Sequence, residues 1–300
     1  MPSLRQLRFL TALADTLNFS RAAEVCNVTQ PTLSTGLKEL EGRLGVVLAE
    51  RTRQSVMLTP AGEDIAARAR RILAEVKDIE AAARQHSGAF QGEVRLGAIP
   101  TLGPFLLPRA LPAIRRRWPD LRIFLREELT DSLAAGLAEG RLDLILVALP
   151  HDLGDAVVEP LFQDGYQLAV SEKHALAAKG QAEPEDLSRT PLLLLERGHC
   201  LQRHALSAFP GIALHADEAF AATSLPTLVS MVEEGLGITL LPQLAVDAGA
   251  TRGHRVALLP LPGACPRQVV LAWRPGSPHT EVFLQMAALL RDVREETVAA

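Results

Sequence analysis

Cysteine is scarce, with three in 300 residues: Cys26, Cys200 and Cys265. They are too few and too scattered for a disulfide framework. No CxxC or paired Cys/His spacing marks a zinc site, so any cysteine role here is that of a reactive thiol. Long apolar runs are missing too. The longest, such as LILVALP (144–150) and PLLLL (191–195), fall well short of the roughly 18 residues a membrane span needs. The N-terminus carries no signal-peptide h-region, so the chain reads as cytoplasmic, with no membrane partner. The sequence holds no GxSxG, P-loop or HExxH, and GLGITLL lacks the strand-first context of a dinucleotide site. No catalytic set, metal or cofactor is therefore expected. With 48% hydrophobic and 22% charged residues the composition is close to the globular average, which excludes a disordered or fibrous chain. Its length calls for two or three compact units.

The net charge of −4 hides an asymmetry: residues 1–90 hold 12 Lys/Arg against 10 Asp/Glu, and residues 91–300 hold 19 against 25. So small a surplus in the first part is weak evidence for a polyanionic partner, because the electrostatic footprint depends on where basic residues cluster. Motifs have to decide.

An apolar 3.6-residue period through Leu4, Leu7, Phe9, Leu10, Leu13, Ala14 and Leu17 predicts a first helix. Ser20 is a natural N-cap for a second, SRAAEVC, which runs out at Asn27. Thr29-Gln30-Pro31 opens a third, with Pro31 in a first turn where its missing N–H costs nothing. Leu33, Leu37, Leu40 and Leu44 are predicted on its inner face, with Thr32, Ser34, Thr35 and Lys38 outward, and it stops near Gly45. Residues 46–58 alternate into a short ribbon with Arg51 and Arg53, and Thr59-Pro60 starts a long Ala/Arg-rich helix to about residue 86. This pattern is a winged helix-turn-helix followed by a linker helix. Ile65, Ile72, Val76 and Ile79, with Ala66 and Ala69 beside them, form a near-heptad stripe that favours dimer pairing. SGAFQG (87–92) then serves as a hinge.

From Glu93 the pattern changes. VRLGAI, a helix from Pro104 to Trp118, LRIFL, a helix from Ser132 to Glu139 and LDLILVAL read as βαβαβ, the pattern of a parallel sheet. A second such series is predicted at YQLAV, PLLLL, the helix after Thr223, ITLLP and VVLAW. Two α/β lobes follow, the chain crossing near 161–165 and returning near 267–270. The resulting division is 1–58 winged helix-turn-helix, 59–87 linker (dimerisation) helix, 88–92 hinge and 93–300 effector domain. Lobe I takes 93–161 and 269–300, and lobe II takes 162–268.

A recognition helix needs short hydrogen-bonding side chains in its first turns to reach base edges, and Arg or Lys nearby to anchor phosphates. Gln30, Thr32, Ser34, Thr35, Lys38, Arg51 and Arg53 meet that need, and Ser20 and Pro31 join them in the predicted DNA-facing set. A second constellation is Gly198-His199-Cys200-Leu201, after the apolar strand at 191–195. A cysteine beside an imidazole and near a helix start can have a depressed pKa, and the thiolate is the species that attacks peroxide. A lone cysteine is otherwise a small buried hydrophobe, and that reading stays open on spacing alone.

FSRAAEVCNVTQPTLSTGLKELEGRLGVVLAERTRQSVMLTPAGE resembles the N-terminal signature of the LysR-type transcriptional regulators over some 45 positions. The resemblance implies a winged helix-turn-helix, a linker-helix dimer, and usually a tetramer binding two half-sites in double-stranded promoter DNA. It also implies a two-lobed effector domain like the periplasmic binding proteins, and RNA polymerase as a partner of an activator. ERGHCLQRHAL, ATSLPTLVSMVEEGLGITLLP and LAWRPGSP are similar to the peroxide-sensing OxyR branch of that type. In that branch the cysteine of GHCL reacts with hydrogen peroxide, which falls here on Cys200, and its neighbours fall on His199, Thr101, Thr130 and Arg267. Hydroxyls hold a peroxide oxygen, and an arginine stabilises a thiolate and the departing hydroxide. Each residue also has a plainer role. Thr101 and Thr130 suit helix caps, His199 a surface turn, and Arg267 the neutralisation of a nearby carboxylate.

The chain departs from the branch in three places. The resolving cysteine commonly found nine residues after the reactive one is Phe209, so a local disulfide is impossible. An acidic residue three positions after it is replaced by Arg203, and a histidine before ATSL by Ala219. Cys265, beside Arg267 at a lobe junction, is the alternative resolving thiol, with an inert structural cysteine as the favoured reading, and Cys26 reads as a packed one. The functional expectation is a DNA-binding regulator sensing hydrogen peroxide through Cys200. Its rivals are a LysR-type regulator answering a small metabolite in the inter-lobe cleft, and a one-cysteine thiol peroxidase.

Overall fold

The computed structural model describes all residues except 52–55, 86–91, 188–189, 191, 197, 200, 202–203, 205–215 and 300. By internal packing the chain divides into two units, Met1–Ala89 with Gly136–Arg141, and Phe90–Ala135 with Leu142–Ala300.

In the first unit α1 (Leu4–Thr16), α2 (Phe19–Val25) and α3 (Gln30–Leu44) close on a small core in which Leu10, Leu13, Leu33 and Leu40 are fully buried. A capping box starts α1: Ser3 Oγ accepts from the Gln6 N–H, and the Gln6 side chain accepts from the Ser3 N–H. Gly36 lets α3 approach α1, since a Cβ there would stand 2.7 Å from the Phe9 ring. The helix following Asn18 corrects the expected cap. Asn18 Oδ1 accepts from the N–H groups of Ser20 (2.9 Å) and Arg21 (3.1 Å), and Ser20 lies inside the first turn, exposed. Asparagine caps as well as serine, and Phe19 is helical. Leu44 is a second correction: the helix ends at Gly45, past the core, and Leu44 is left exposed.

The ribbon consists of β1 (Ala49–Arg51) and β2 (Val56–Leu58), paired antiparallel. The Thr59 hydroxyl donates to Val47 C=O and accepts from the Gly62 N–H, seating the start of α4 (Pro60–Gln85). Along α4, Ala66 and Ala69 are buried, whereas Ile72 is 47% and Ile79 68% exposed. Of the large apolar residues in the predicted stripe, Ile72 and Ile79 therefore face outward, Val76 is half-buried, and Ile65 packs on the helix-turn-helix core.

From residue 92 the chain runs through β3 (Gly92–Ala98), α5 (Gly103–Arg117), β4 (Leu121–Glu127), α6 (Thr130–Ala138) and β5 (Leu144–Leu149), in the predicted order. β3 runs parallel to β4 and β5. The sheet then gains β6 (Val157–Asp164) and β12 (Arg267–Trp273), the latter antiparallel to both β5 and β6, in the order β4-β3-β5-β12-β6. β6 has no alternation to betray it. Its Pro160 is tolerated because the strand lies at the sheet edge, opposite a register shift between Val269 and Val270.

The other lobe departs from the expected parallel series. β7 (Tyr166–Ser171) is central and antiparallel to both β10 (Thr239–Pro242) and β11 (Val256–Pro260). β8 (Leu192–Leu195) and β9 (Ala216–Ala222) pair in parallel, and an isolated parallel bridge joins Leu192 to Ile238. An apolar run specifies burial, not direction; direction depends on where the connection delivers the chain. Short α7 (Pro184–Leu187), α8 (Leu225–Glu233) and α9 (Gln243–Asp247) belong to this lobe, whose core includes Leu168, Val170, Leu193, Leu228 and Ile238. The chain ends in α10 (Thr280–Ala299). The chain thus combines an N-terminal helix-turn-helix domain with a two-lobed α/β domain. Among the described residues no helix is long and apolar enough to cross a membrane, and none of them cluster as metal ligands.

Candidate functional site

On α3 the buried Leu33, Leu37 and Leu40 fix the opposite face outward. Thr32, Thr35 and Lys38 are exposed, and Gln30 and Ser34 are half-buried. Thr29 Oγ1 and Thr32 Oγ1 are hydrogen-bonded at 2.8 Å, which ties the first turn to the residue before it. Beside this face runs a groove of about 590 Å³, lined by Arg5, Gln6, Phe9, Thr32, Thr35 and Glu39 among others. Arg5 stacks its guanidinium 5.4 Å from the Phe9 ring centre, and Gln6 Nε2 donates to Glu39 Oε2 at 3.1 Å. The first helix thus adjoins the outward face of α3 along this groove, a contribution that α3 spacing alone does not reveal. The Arg51 backbone pairs with Val56 in the ribbon, and Arg53 lies outside the described residues.

The candidate sensor residues gather at one end of the five-stranded sheet. Thr101 follows β3, Thr130 follows β4 and Pro150-His151 follows β5, all at the carboxyl ends of strands that point the same way. Arg267 opens β12, and Asp164 closes β6 directly across from it. The carboxyl edge of parallel strands is where open α/β sheets place ligands.

Thr101 and Arg267 are in contact. Arg267 Nη1 donates to Thr101 Oγ1 at 2.8 Å and Nη2 to the Thr101 carbonyl at 3.2 Å. Thr101 is not a helix cap, since Leu102 holds that position in α5. Arg267 also does what its plainer reading required: Nε and Nη2 donate to Asp164 Oδ2 at 3.0 and 2.8 Å. Thr101, Arg267 and Asp164 are all no more than 2% exposed. Asp164 escaped the sequence reading because it lies 103 residues from Arg267. Thr130, at the start of α6, is 1% exposed, and its hydroxyl has no hydrogen-bond partner among the described residues. A buried hydroxyl without a partner costs about 1–3 kcal/mol, so this is a position a small polar ligand would relieve.

Cys200 and Phe209 lie outside the described residues, but residues on either side of Cys200 are placed. Gly198 adopts φ +102°, and a Cβ there would stand 3.0 Å from Leu129 Cδ1, so this turn lies against the start of α6. His199 donates its N–H to Glu196 C=O at 3.2 Å. Burial pulls the His199 imidazole below its ordinary pKa and favours the neutral ring, partly opposed by the Glu196 carboxylate. Arg267 brings guanidinium donors to this edge, its charge matched by Asp164. His204 is buried with Nε2 3.5 Å from Pro150 C=O, and His151 Nε2 lies 3.0 Å from Asp131 Oδ1. Burial raises the Cys26 thiol above its usual value despite Arg8, which makes it a poor nucleophile; Cys265 is exposed.

A LysR substrate binding domain model matches residues 87–295, and a LysR-family bacterial regulatory helix-turn-helix model matches residues 4–63. The chain belongs to the LysR family. It is 40% identical over 291 residues to the hydrogen peroxide-inducible genes activator of Dickeya chrysanthemi, covering 97% of this chain and 95% of that one. A full-length cysteine-to-aspartate variant of OxyR from Pseudomonas aeruginosa superposes with a TM-score of 0.81 at 35% identity, covering 96% of this chain and 94% of that one. A hydrogen-peroxide-bound OxyR cysteine-to-serine variant from Corynebacterium glutamicum gives a TM-score of 0.64 at 30% identity, covering 100% and 94%. This LysR-family chain thus resembles OxyR proteins across both of its units.

Proposed function

We propose that this chain is a DNA-binding transcriptional activator that senses hydrogen peroxide through Cys200. The observation that carries this reading is the buried Thr130 hydroxyl at the sheet edge, without a hydrogen-bond partner among the described residues, beside the Gly198-His199 turn that leads into Cys200, in a chain so similar to OxyR proteins. The residues assigned to binding peroxide and tuning the thiol are Thr101, Thr130, His199 and Arg267. In the reaction the Cys200 thiolate attacks one peroxide oxygen. The S–O bond forms as the O–O bond breaks, sulfur gives up two electrons, and the departing hydroxide takes a proton to become water. Arg267 and the two hydroxyls stabilise charge that moves onto the leaving oxygen. Because position 209 is Phe, the sulfenate has no resolving thiol nearby, and the switch is one added oxygen in a confined site.

In the DNA-binding half, Gln30, Pro31, Thr32, Ser34, Thr35 and Lys38 of α3 meet the major groove, and Ser20, Arg51 and Arg53 sit at the flanks. Residues 1–58 form the DNA-binding domain, 59–87 the dimerisation helix, 88–92 the hinge and 93–300 the effector. The assembly is a cytoplasmic homodimer or homotetramer on promoter DNA that works with RNA polymerase and turns over no substrate. Mass spectrometry after graded peroxide tests the sensor: Cys200 gains one oxygen at about one equivalent, and Cys200→Ser abolishes both oxidation and transcriptional response. Sustained peroxide consumption with reductant would make the chain a peroxidase. A Cys200→Ser protein that still responds would return the cleft to a metabolite.

A further inference from the structure

We propose that Asp164 is the positioning residue of the peroxide site, acting on it through Arg267 and Thr101. This rests on the assignment of Arg267 to that site made above. Asp164 is 0% exposed, and both of its oxygens are committed. Oδ2 receives Nε and Nη2 of Arg267, which fixes the plane of the guanidinium and leaves Nη1 for Thr101 Oγ1. Oδ1 receives the Leu244 N–H at 2.8 Å, and the next carbonyl, Gly165 C=O, receives the Gln243 N–H at 2.8 Å. The carboxylate is therefore pinned to the start of α9 and cannot swing with the arginine.

The consequence for Thr101 is chemical. Its oxygen accepts from Arg267, which turns the hydroxyl proton away from the guanidinium and leaves it to donate, the polarity that a peroxide oxygen or a thiolate requires. The consequence for Arg267 is electrostatic. Asp164 cancels its formal charge, so the pair supplies directed donors in place of a bare cation.

This separates positioning from simple charge by sign. If only charge mattered, Asp164→Asn would expose the guanidinium's positive field, favour the thiolate and speed oxidation. If Asp164 positions Arg267, the same change lets the guanidinium roll away and slows it.

The test is the second-order rate of Cys200 oxidation by hydrogen peroxide, followed from pH 5 to pH 9 by quenched mass spectrometry on the reduced full-length protein. Asp164→Asn is expected to lower the rate about tenfold or more and to shift the midpoint of the pH profile upward, with Asp164→Glu recovering part of both. A parental or faster rate in folded Asp164→Asn overturns the proposal. If Asp164→Asn fails to fold by circular dichroism, Asp164→Glu decides: a lower rate with a displaced midpoint supports it, and parental values overturn it. Arg267→Met locates any failure. A slow Arg267→Met beside an unchanged Asp164→Asn defeats only the role of Asp164. A parental rate in Arg267→Met defeats the peroxide-site assignment and this proposal with it.

Discussion

Thr32, Thr35 and Lys38 stand exposed on α3 above a leucine face, while Thr101, Thr130 and Arg267 are buried at the carboxyl edge of a sheet. Both sets are short polar groups plus a cation, yet the two units of the chain treat them oppositely. The difference follows the size of what each would meet. A duplex is too large to be enclosed and is read from outside, by side chains that keep their water until contact. A peroxide is smaller than a side chain and is discriminated only by groups that surround it. Surface donors cost the fold little, whereas buried ones must be paired or they destabilise it. Substitution in the first unit should therefore change binding without stability, and in the second both together.

The largest effect is expected at the buried pair. Arg267→Met leaves the Asp164 carboxylate without its charge partner and should destabilise the effector unit by about 3–5 kcal/mol in urea unfolding, because breaking a buried pair strands the other charge. A loss under about 1 kcal/mol would mean water reaches Asp164, and the contrast with the surface would weaken. Next in size is Ile72→Asp on the exposed side of α4. It should dissociate the dimer in light scattering, since a carboxylate in an apolar seam is costly, while the melting of the isolated helix-turn-helix core stays the same. An unchanged mass would show that this stripe holds nothing together.

Lys38→Ala should weaken operator binding by about 1–3 kcal/mol if it reads a base, and flatten the salt slope if it meets a phosphate, with no change in thermal stability. Lost stability would blur the division between the two units. The smallest effect belongs to a partly exposed cluster in the effector. Glu233 is held down to about 2, first by its hydrogen bond from His254 (2.7 Å) and then by Arg255. A carboxyl depressed in the folded state stabilises the protein above its ordinary value and loses that contribution as pH falls toward about 2. Acid unfolding of Glu233→Gln should accordingly be less steep over that range, and an equal slope would show that the cluster contributes nothing.

Much of the first unit was legible residue by residue. The 3.6-residue leucine period, Pro31 in a first turn and Gly45 at the end place α3, because local spacing and local caps are enough to specify a helix. The errors there were local too: Asn18 took the cap from Ser20, and Leu44 fell beyond the core it was meant to cover. The effector was legible as strands and helices but not as a sheet. The direction of β10 and β11 and the edge strand β6 depend on where distant segments dock.

The residues themselves determined the helix-turn-helix, its polar outer face, the apolar stripe of the linker and the GHCL motif with no second cysteine nine residues on. Tertiary structure alone decided that Thr101 accepts from Arg267, that Asp164 holds that arginine from the other side, and that Thr130 is buried with no hydrogen-bond partner among the described residues. Helices and caps are written in neighbours within four residues, so they can be read along the chain. A buried ion pair across 103 residues has no local signature, and it exists only once two antiparallel strands have set Asp164 opposite Arg267.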